Sequence, residues 1–341
     1  MNLDERKARL LRVVVHEFIH TAEPVGSKTL TDRYSLGVSP ATIRNELAVL
    51  EEQGYLSHPH TSAGRVPTDR GYRFYVDALS GVGELARAQE ETIARYFEGA
   101  ADLEETLQRT SLLLSNLTRY TAMVAPPALD RSRLRHVELV GLGPHVIMLV
   151  LIVDSGRVEK RLVETASEVA SEDLEELRRQ LNERLAGERL SRAELVLDAM
   201  AAEVPTERRA LFATLAGAIG QVVGDQSTER IWLGGQAHIA GPDAFDGIET
   251  VRQVYEALEQ QVLVLRLLQA ALGKNKVSVV IGSENPVEGM EACSLVISAY
   301  LAGDASGSIG VLGPTRMDYL RAMAAVQAVA RYLGDAFEGG G

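Results

Sequence analysis

Two groups of side chains near the start of the chain have types and spacing that suit a defined chemistry. The first group lies within seven consecutive residues and comprises Ser39, Ala41, Thr42, Arg44 and Asn45. Arginine can donate two hydrogen bonds to guanine, and asparagine can form two with adenine, while alanine and threonine methyl groups can touch the methyl group of thymine. The group therefore predicts contact with base edges in the major groove of DNA.

The second group is His16-Glu17-Phe18-Ile19-His20, which matches the pattern H-E-x-x-H. On a helix this pattern places two zinc ligands one turn apart, with a glutamate available as a general base. A five-residue pattern with two free positions recurs by chance. Glu46, a conceivable third ligand, belongs to a segment that another pattern already explains. We therefore expect His16 and His20 to hold no functional metal, and a zinc peptidase is retained only as an alternative.

The elements that must position Arg44 and Asn45 form a helix-turn-helix pattern. A short helix begins near Ser27 and ends before a glycine turn, and Ser39 and Pro40 then suit the N-cap and the first position of a second helix. Gly54 suits the position after that helix ends. The buried stripe of the second helix is predicted to be Ile43, Leu47 and Leu50. In this layout the second helix enters the major groove and its first turns contact bases.

The next residues predict a β-hairpin, or wing, beside the recognition helix. One strand begins at Tyr55, the returning strand contains Arg65, and the polar turn between them includes His60 and Ser62. Small polar groups and an arginine at such a position suit contact with phosphates or the minor groove. Residues 1–80 are therefore predicted to form a winged-helix DNA-binding domain whose other basic side chains are Lys28, Arg70 and Arg73.

Composition and charge agree with a DNA-binding head on an acidic body. The chain has a net charge of −12, but residues 1–79 are neutral overall, so the excess of acidic residues lies after residue 79. Phosphate attraction is local at physiological salt, which makes this distribution compatible with DNA contact through the head. A single cysteine, Cys293, excludes an internal disulfide and suits a reducing cytoplasm. The sequence contains no predicted membrane span, signal peptide or cofactor motif.

The remainder predicts an α+β protein. We expect a helical linker over residues 81–125, and then strands before residue 165. A charge-rich helical stretch over 166–228 resembles an insertion, and strands and helices alternate to the C-terminus. The segments 126–165 and 229–341 are together expected to form an antiparallel sheet flanked by helices, a sensor-like module. Polar candidates for a pocket or interface in it are the loop 282–286 and the segment 315–318, although both also suit structural roles.

Four motifs resemble the heat-inducible transcription repressor (HrcA) family. They are SPATIRNELAVLEEQGYL at 39–56, HTSAGRVPTDRGYRFYVD at 60–77, IGSEN at 281–285 and GVLGPTRMDY at 310–319. The resemblance implies a winged-helix head, a GAF-like domain with an inserted dimerisation domain, and a homodimer on an inverted-repeat operator in double-stranded DNA. It also implies a chaperonin partner that helps the repressor reach its active form.

The sequence therefore predicts a dimeric, cytoplasmic, non-enzymatic repressor of bacterial chaperone genes, with the body supplying most of the dimerisation. The main alternative is a winged-helix regulator controlled by a small molecule bound in the sensor-like domain. The sequence specifies neither the operator bases nor a ligand.

Overall fold

The computed structural model describes residues 3–59, 64–79, 87–97, 102–224, 230–241, 245, 247–270 and 277–338. Within these ranges the chain is a mixture of helices and antiparallel sheets, as the sequence predicted. None of the helices in the described ranges is long and apolar enough to cross a membrane.

The N-terminal part is a winged helix-turn-helix. Its elements are α1 (Glu5–Thr21), α2 (Ser27–Arg33), α3 (Pro40–Glu52), β1 (Leu56–Ser57), β2 (Val66–Pro67) and α4 (Asp69–Asp77). The predicted stripe of α3 is buried, since Ile43 and Leu50 are fully covered and Leu47 nearly so. Gly54 follows the C-cap of α3 with a φ of +75°, a conformation that glycine adopts without a steric penalty. The predicted wing is confirmed by the antiparallel pairing of β1 with β2.

The next segment was predicted to be a helical linker, but it ends in a sheet strand. It contains α5 (Arg87–Phe97), α6 (Leu103–Thr118) and β3 (Thr121–Ala125). All five residues of β3 are buried. A short, continuously apolar run resembles the end of a helix in sequence, and the sheet around it decides that it is a strand.

The following residues form a separate unit, which we call the insert. It contains β4 (Leu134–Gly143), β5 (Val146–Val153), β6 (Val158–Glu164), α7 (Ser171–Leu185), α8 (Ala193–Ala201) and α9 (Arg209–Gly224). The three strands pair only with one another among the described strands, and their inner faces share one apolar cluster with the three helices. The insert therefore begins before the predicted boundary at residue 166. The strands that the sequence assigned to the sensor-like sheet pack on the insert helices instead.

The C-terminal elements complete the larger sheet. They are β7 (Trp232–Gly234), α10 (Ile248–Glu259), α11 (Gln261–Ala270), β8 (Val277–Ile281), β9 (Cys293–Ala302), β10 (Ala305–Pro314) and α12 (Tyr319–Glu338). Among the described strands the order is β7-β3-β10-β9-β8, and every pairing is antiparallel. Helices α10 and α11 are separated at Gln260, whose backbone is extended.

This sheet lies between two layers of helices, and alternate residues of each strand face opposite layers. Ala122 and Val124 of β3 belong to the apolar cluster that contains residues of α6 and α12, whereas Met123 and Ala125 belong to the cluster of α10 and α11. The first cluster also contains the core of the winged helix. Head and sheet domain therefore share one continuous apolar core.

Candidate nucleic-acid interface

The start of α3 is fixed by its cap. Ser39 is the N-cap, and its Oγ accepts a hydrogen bond from the Thr42 backbone N–H at 3.2 Å, while the two side-chain hydroxyl oxygens lie 3.0 Å apart. Pro40 occupies the first helical position, where a missing N–H has no cost. A hydroxyl cap of this kind contributes about 1 kcal/mol to helix stability. The position and orientation of the first turn of α3 are therefore fixed by this cap.

The predicted base-contacting residues lie together on the outer face of this turn. Ser39, Ala41, Arg44 and Asn45 are exposed, and Thr42 is half-buried. The side chains of Arg44 and Asn45 make no hydrogen bond or ion pair with any other residue that the structure describes. Their donors and acceptors face outward on the first turns of α3, which are the turns that contact bases in a helix-turn-helix protein.

The opposite face of α3 is anchored to the rest of the head. Glu46 is buried and forms an ion pair with Arg6 of α1. Near the other end of the helix, Glu51 forms an ion pair with Arg65 at an N···O distance of 2.8 Å. The apolar stripe and these two ion pairs set the angle at which α3 presents Arg44.

The predicted wing residues are only partly brought to this face. Arg65 lies at the base of the wing, where its side chain is 20% exposed and held by Glu51. Its backbone also pairs with Val25, with N···O distances of 2.8 and 2.9 Å in the two directions. His60 and Ser62, the other two predicted contacts, lie outside the described residues.

Two further arginines of the head have partners within the protein. The Arg70 guanidinium stacks over the Tyr55 ring at 4.4 Å and donates to the Gln53 carbonyl at 2.9 Å. Arg73 of α4 donates from Nε to the Glu284 carboxylate at 2.8 Å, and from its terminal nitrogen to the Val279 carbonyl at 2.7 Å. The basic residues of the head therefore differ in how available they are for DNA, because Arg65, Arg70 and Arg73 already have protein partners.

The contacts of Arg73 belong to a junction that we call the clasp, defined by Asp69, Arg73, Gly282, Ser283 and Glu284. The Ser283 backbone N–H donates to the Asp69 carboxylate at 2.8 Å, and Glu284 also accepts from the Ile281 N–H at 2.9 Å. Gly282 has a φ of +53°, and a Cβ there would collide with the Asp69 carboxylate. The clasp thus joins α4 of the head to the loop after β8.

Sequence patterns did not reveal the clasp. The polar sequence of the loop at 282–286 suits a turn or an interface, and the structure shows that the loop forms both. Asn285 holds the turn, since its Nδ2 lies 2.8–2.9 Å from the carbonyl oxygens of Gly282, Met290 and Cys293. Arg73 and Glu284 are 211 positions apart, so no local spacing relates them.

Comparison with known proteins agrees with this architecture. The family model described as "HrcA protein C terminal domain" matches residues 104–323. A heat-inducible transcription repressor HrcA of Acidothermus cellulolyticus is 46% identical, with 97% of this chain and 98% of the relative covered. The chain belongs to the HrcA family. A relative of the same description from Frankia casuarinae is 44% identical, with 98% of each chain covered.

A solved structure supports the fold. A crystal structure titled as a hypothetical protein at 2.2 Å resolution superposes with a TM-score of 0.66 and 24% sequence identity, and 99% of each chain is covered. Family membership confirms the predicted transcriptional repressor of heat-shock genes, and it confirms the prediction that the chain is not an enzyme, because the relatives are named as transcription repressors.

The H-E-x-x-H segment has a structural role in this repressor. Glu17 is buried and forms an ion pair with Arg33 of α2, and it accepts from the Tyr34 hydroxyl at 2.7 Å. His16 and His20 lie one turn apart with ring centroids 4.3 Å from each other. Partial burial, followed by the neighbouring His20, lowers the pKa of His16. The described residues contain no group of three potential metal ligands, and the glutamate is used to join α1 to α2.

Proposed function

We propose that this repressor binds double-stranded DNA through the first turns of α3, with the wing beside it, and acts as a homodimer on an inverted-repeat operator of chaperone genes. Arg44 and Asn45 contact base edges, and Ser39, Ala41 and Thr42 approach the same part of the groove. The wing, with His60, Ser62 and Arg65, contacts the backbone or the minor groove. We also propose a cytoplasmic location, which the single cysteine, Cys293, supports because it suits a reducing compartment.

One observation carries this proposal. Arg44 and Asn45 are exposed and have no partner among the described residues, yet the helix that bears them is fixed by a cap, a buried stripe and two ion pairs. A rigid helix with unengaged bidentate groups suits base recognition, because little freedom remains to be lost when the groups bind.

The electrostatics of the head favour a dimer. Three of its arginines have protein partners, so few remain for phosphates, and each neutralised phosphate contributes only about 0.9 to the salt slope. Linking two heads makes the second contact intramolecular and can raise affinity by about 10²–10⁴. A two-fold dimer requires an inverted repeat with spacing set by the protein.

The insert offers a surface for this dimer. The face of its sheet that points away from α7–α9 exposes large apolar side chains, of which Leu162 is 65% and Leu142 56% exposed. Exposed apolar clusters on one sheet face suit an isologous contact, in which the same surface of each subunit packs on the other. We assign this face of the insert to the second copy of the chain.

Sedimentation and DNA titration of the full-length protein test the proposal together. We expect a dimer at micromolar concentration that binds a two-half-site operator from its own chaperone promoter far more tightly than one half-site or a scrambled duplex. Leu162→Asp should yield monomers, whereas Leu195→Asp, at an equally exposed leucine on α8, should not. A monomeric wild type that binds one half-site as tightly as two would contradict the dimer.

The chaperonin is a second partner within this proposal. The resemblance implies that a chaperonin raises the fraction of active repressor. Refolding the purified chain with and without chaperonin and ATP, and then titrating the operator-competent fraction, measures this effect. An unchanged active fraction would remove the chaperonin from the proposal while leaving DNA binding intact.

A further inference from the structure

A cavity lies where the first helix of the head meets the sheet domain. Its volume is about 360 Å³. Its walls include Ile19 near the end of α1, Arg119 and Tyr120 after α6, His238 after β7, Pro314 at the end of β10, and Arg316 just beyond it. Small-molecule sites have volumes of roughly 300–1,000 Å³ and combine apolar walls with a few polar groups. This cavity has the size and the mixed lining of such a site.

The charge of the cavity is positive in a chain whose net charge is −12. Its described lining contains two arginines and a histidine but no acidic side chain. Arg119 is the C-cap of α6 with a φ of +66°, and its backbone N–H donates to the Ser115 carbonyl at 2.8 Å. Its guanidinium is exposed and has no ion pair within the described ranges. Planar guanidinium groups suit carboxylate and phosphate ligands.

The apolar wall of the cavity is held in place by backbone contacts. The Tyr120 hydroxyl accepts from the Asp318 N–H at 2.8 Å, and burial raises the pKa of this phenol. The Tyr120 ring packs directly on Gly313, where a Cβ would lie 2.7 Å from the ring. Ile19, Leu312 and Pro314 complete an apolar surface beside the basic groups.

We propose that this cavity binds a small organic anion, in which a carboxylate or phosphate contacts Arg119 and an apolar or aromatic body packs on Tyr120. Ile19 belongs to the head and the other lining residues belong to the sheet domain, so a bound compound contacts both. The compound would thereby alter the position of α3 relative to the insert and change operator affinity. This last step rests on the proposed DNA-binding function, whereas the binding site does not.

Phenyl phosphate and benzoate are suitable probes, with benzyl alcohol as the uncharged compound of similar ring size. Saturation-transfer NMR on the full-length protein, without DNA, measures their binding. We expect at least one of the two anions to bind, with an affinity about five- to tenfold higher than that of benzyl alcohol, because a charge-assisted hydrogen bond is lost with the anionic group. Which anion binds distinguishes a carboxylate ligand from a phosphate ligand.

Two variants test whether the probe binds in this cavity. Arg119→Gln should weaken anion binding by about five- to tenfold, and Ala237→Phe, at an exposed position of the lining, should block it. Arg135→Gln, at an exposed arginine on β4, should leave it unchanged. The absence of binding by both anions, or equal binding in all three variants, would overturn the proposed site.

A separate titration tests the coupling. Operator affinity of the wild type is measured with and without the anion that binds, and Ala237→Phe serves as the variant that should show no response. Binding of the anion with no change in operator affinity would overturn the coupling and retain the site. A protein that binds the anion but no operator would instead contradict the proposed DNA-binding function.

Discussion

Helices α3 and α4 belong to the same head, yet Arg44 on α3 and Arg73 on α4 have different surroundings. Arg44 on α3 has no protein partner in the described structure, whereas Arg73 on α4 is held by a carboxylate and a carbonyl of the sheet domain. The fold therefore determines which arginine remains available for DNA, because it gives Arg73 a protein partner and leaves Arg44 without one among the described residues. Positive charge in the head does not by itself identify a DNA contact.

The clasp also means that the head is oriented by the sheet domain. Tyr72 of α4 lies with its ring centroid 5.9 Å from that of Tyr319 in α12, and both side chains are almost completely buried. Together with the polar contacts of Asp69 and Arg73, this packing fixes α4 on the body. Because α3 and α4 share the apolar core of the head, we expect a change that shifts α4 on the body to shift α3 with it.

The largest effect on DNA binding is expected for Arg44→Ala. Loss of a bidentate base contact costs about 1–3 kcal/mol, so operator affinity should fall by roughly five- to 150-fold while affinity for random DNA stays nearly constant. Fluorescence anisotropy titration on both duplexes measures this difference, and Arg12→Ala on α1 is the control. Equal losses on both duplexes would show that Arg44 contacts phosphate instead. Asn45→Ala should behave like Arg44→Ala.

The clasp variant Arg73→Ala should act on stability rather than on base recognition. It removes hydrogen bonds to a carboxylate and a carbonyl from a side chain that is 30% exposed, which we expect to cost about 1–2 kcal/mol of unfolding free energy. Thermal denaturation measures the loss, and hydrogen exchange should increase in α4 and β8. Arg73→Lys keeps the positive charge but lacks the planar guanidinium with its several N–H donors, so it should recover only part of the stability.

Operator selectivity separates this prediction from the previous one. The ratio of operator to random-DNA affinity should be nearly unchanged in Arg73→Ala, because Arg73 faces the body. A fall in selectivity as large as that of Arg44→Ala would mean that Arg73 leaves Glu284 to contact bases. Gly282→Ala is an independent test of the clasp, since a methyl group there would collide with Asp69 and the φ of +53° disfavours alanine.

Arg65 stands between these two cases, because it has a protein partner but lies at the base of the wing. If it also contacts a phosphate, Arg65→Ala should weaken operator and random DNA equally and reduce the salt slope by about 0.9. Glu51→Gln removes the charge of its partner and should cost at most about 1 kcal/mol of stability. A salt slope identical to that of the wild type would assign Arg65 solely to the ion pair with Glu51.

The smallest effect, a change in protein stability with pH, is expected for Tyr34→Phe. Burial, together with the hydrogen bond to Glu17, raises the pKa of Tyr34 to about 12 from its ordinary value of 10.0. A phenol with a raised folded-state pKa stabilises the protein fully below pH 10, and that contribution is lost as pH rises from 10 towards 12. Tyr34→Phe should therefore be slightly less stable at neutral pH and should show a flatter decline above pH 10. Denaturant unfolding at pH 8 to 11 measures the two curves. Parallel curves would show that folding does not raise the pKa of Tyr34.

Sequence alone was sufficient for the elements whose signals are local. The cap at Ser39, the stripe of Ile43, Leu47 and Leu50, and the glycine at 54 each occupy the predicted position. These signals act over one or two helical turns, where side-chain type and backbone preference are directly linked. The outward placement of Arg44 and Asn45 followed from the same periodicity, since a helix with one buried face must expose the other.

Only the tertiary structure decided which strands pair and which charged groups meet. The strands at 134–164 have the alternation expected of a strand with one buried face, but this pattern does not state which helices cover that face. In the same way, Arg73 and Glu17 looked like a DNA contact and a possible catalytic base. The fold gives them partners on other elements. The physical reason is that local spacing determines the conformation of a segment and the direction of its side chains, while long-range packing of the whole chain determines what each side chain contacts.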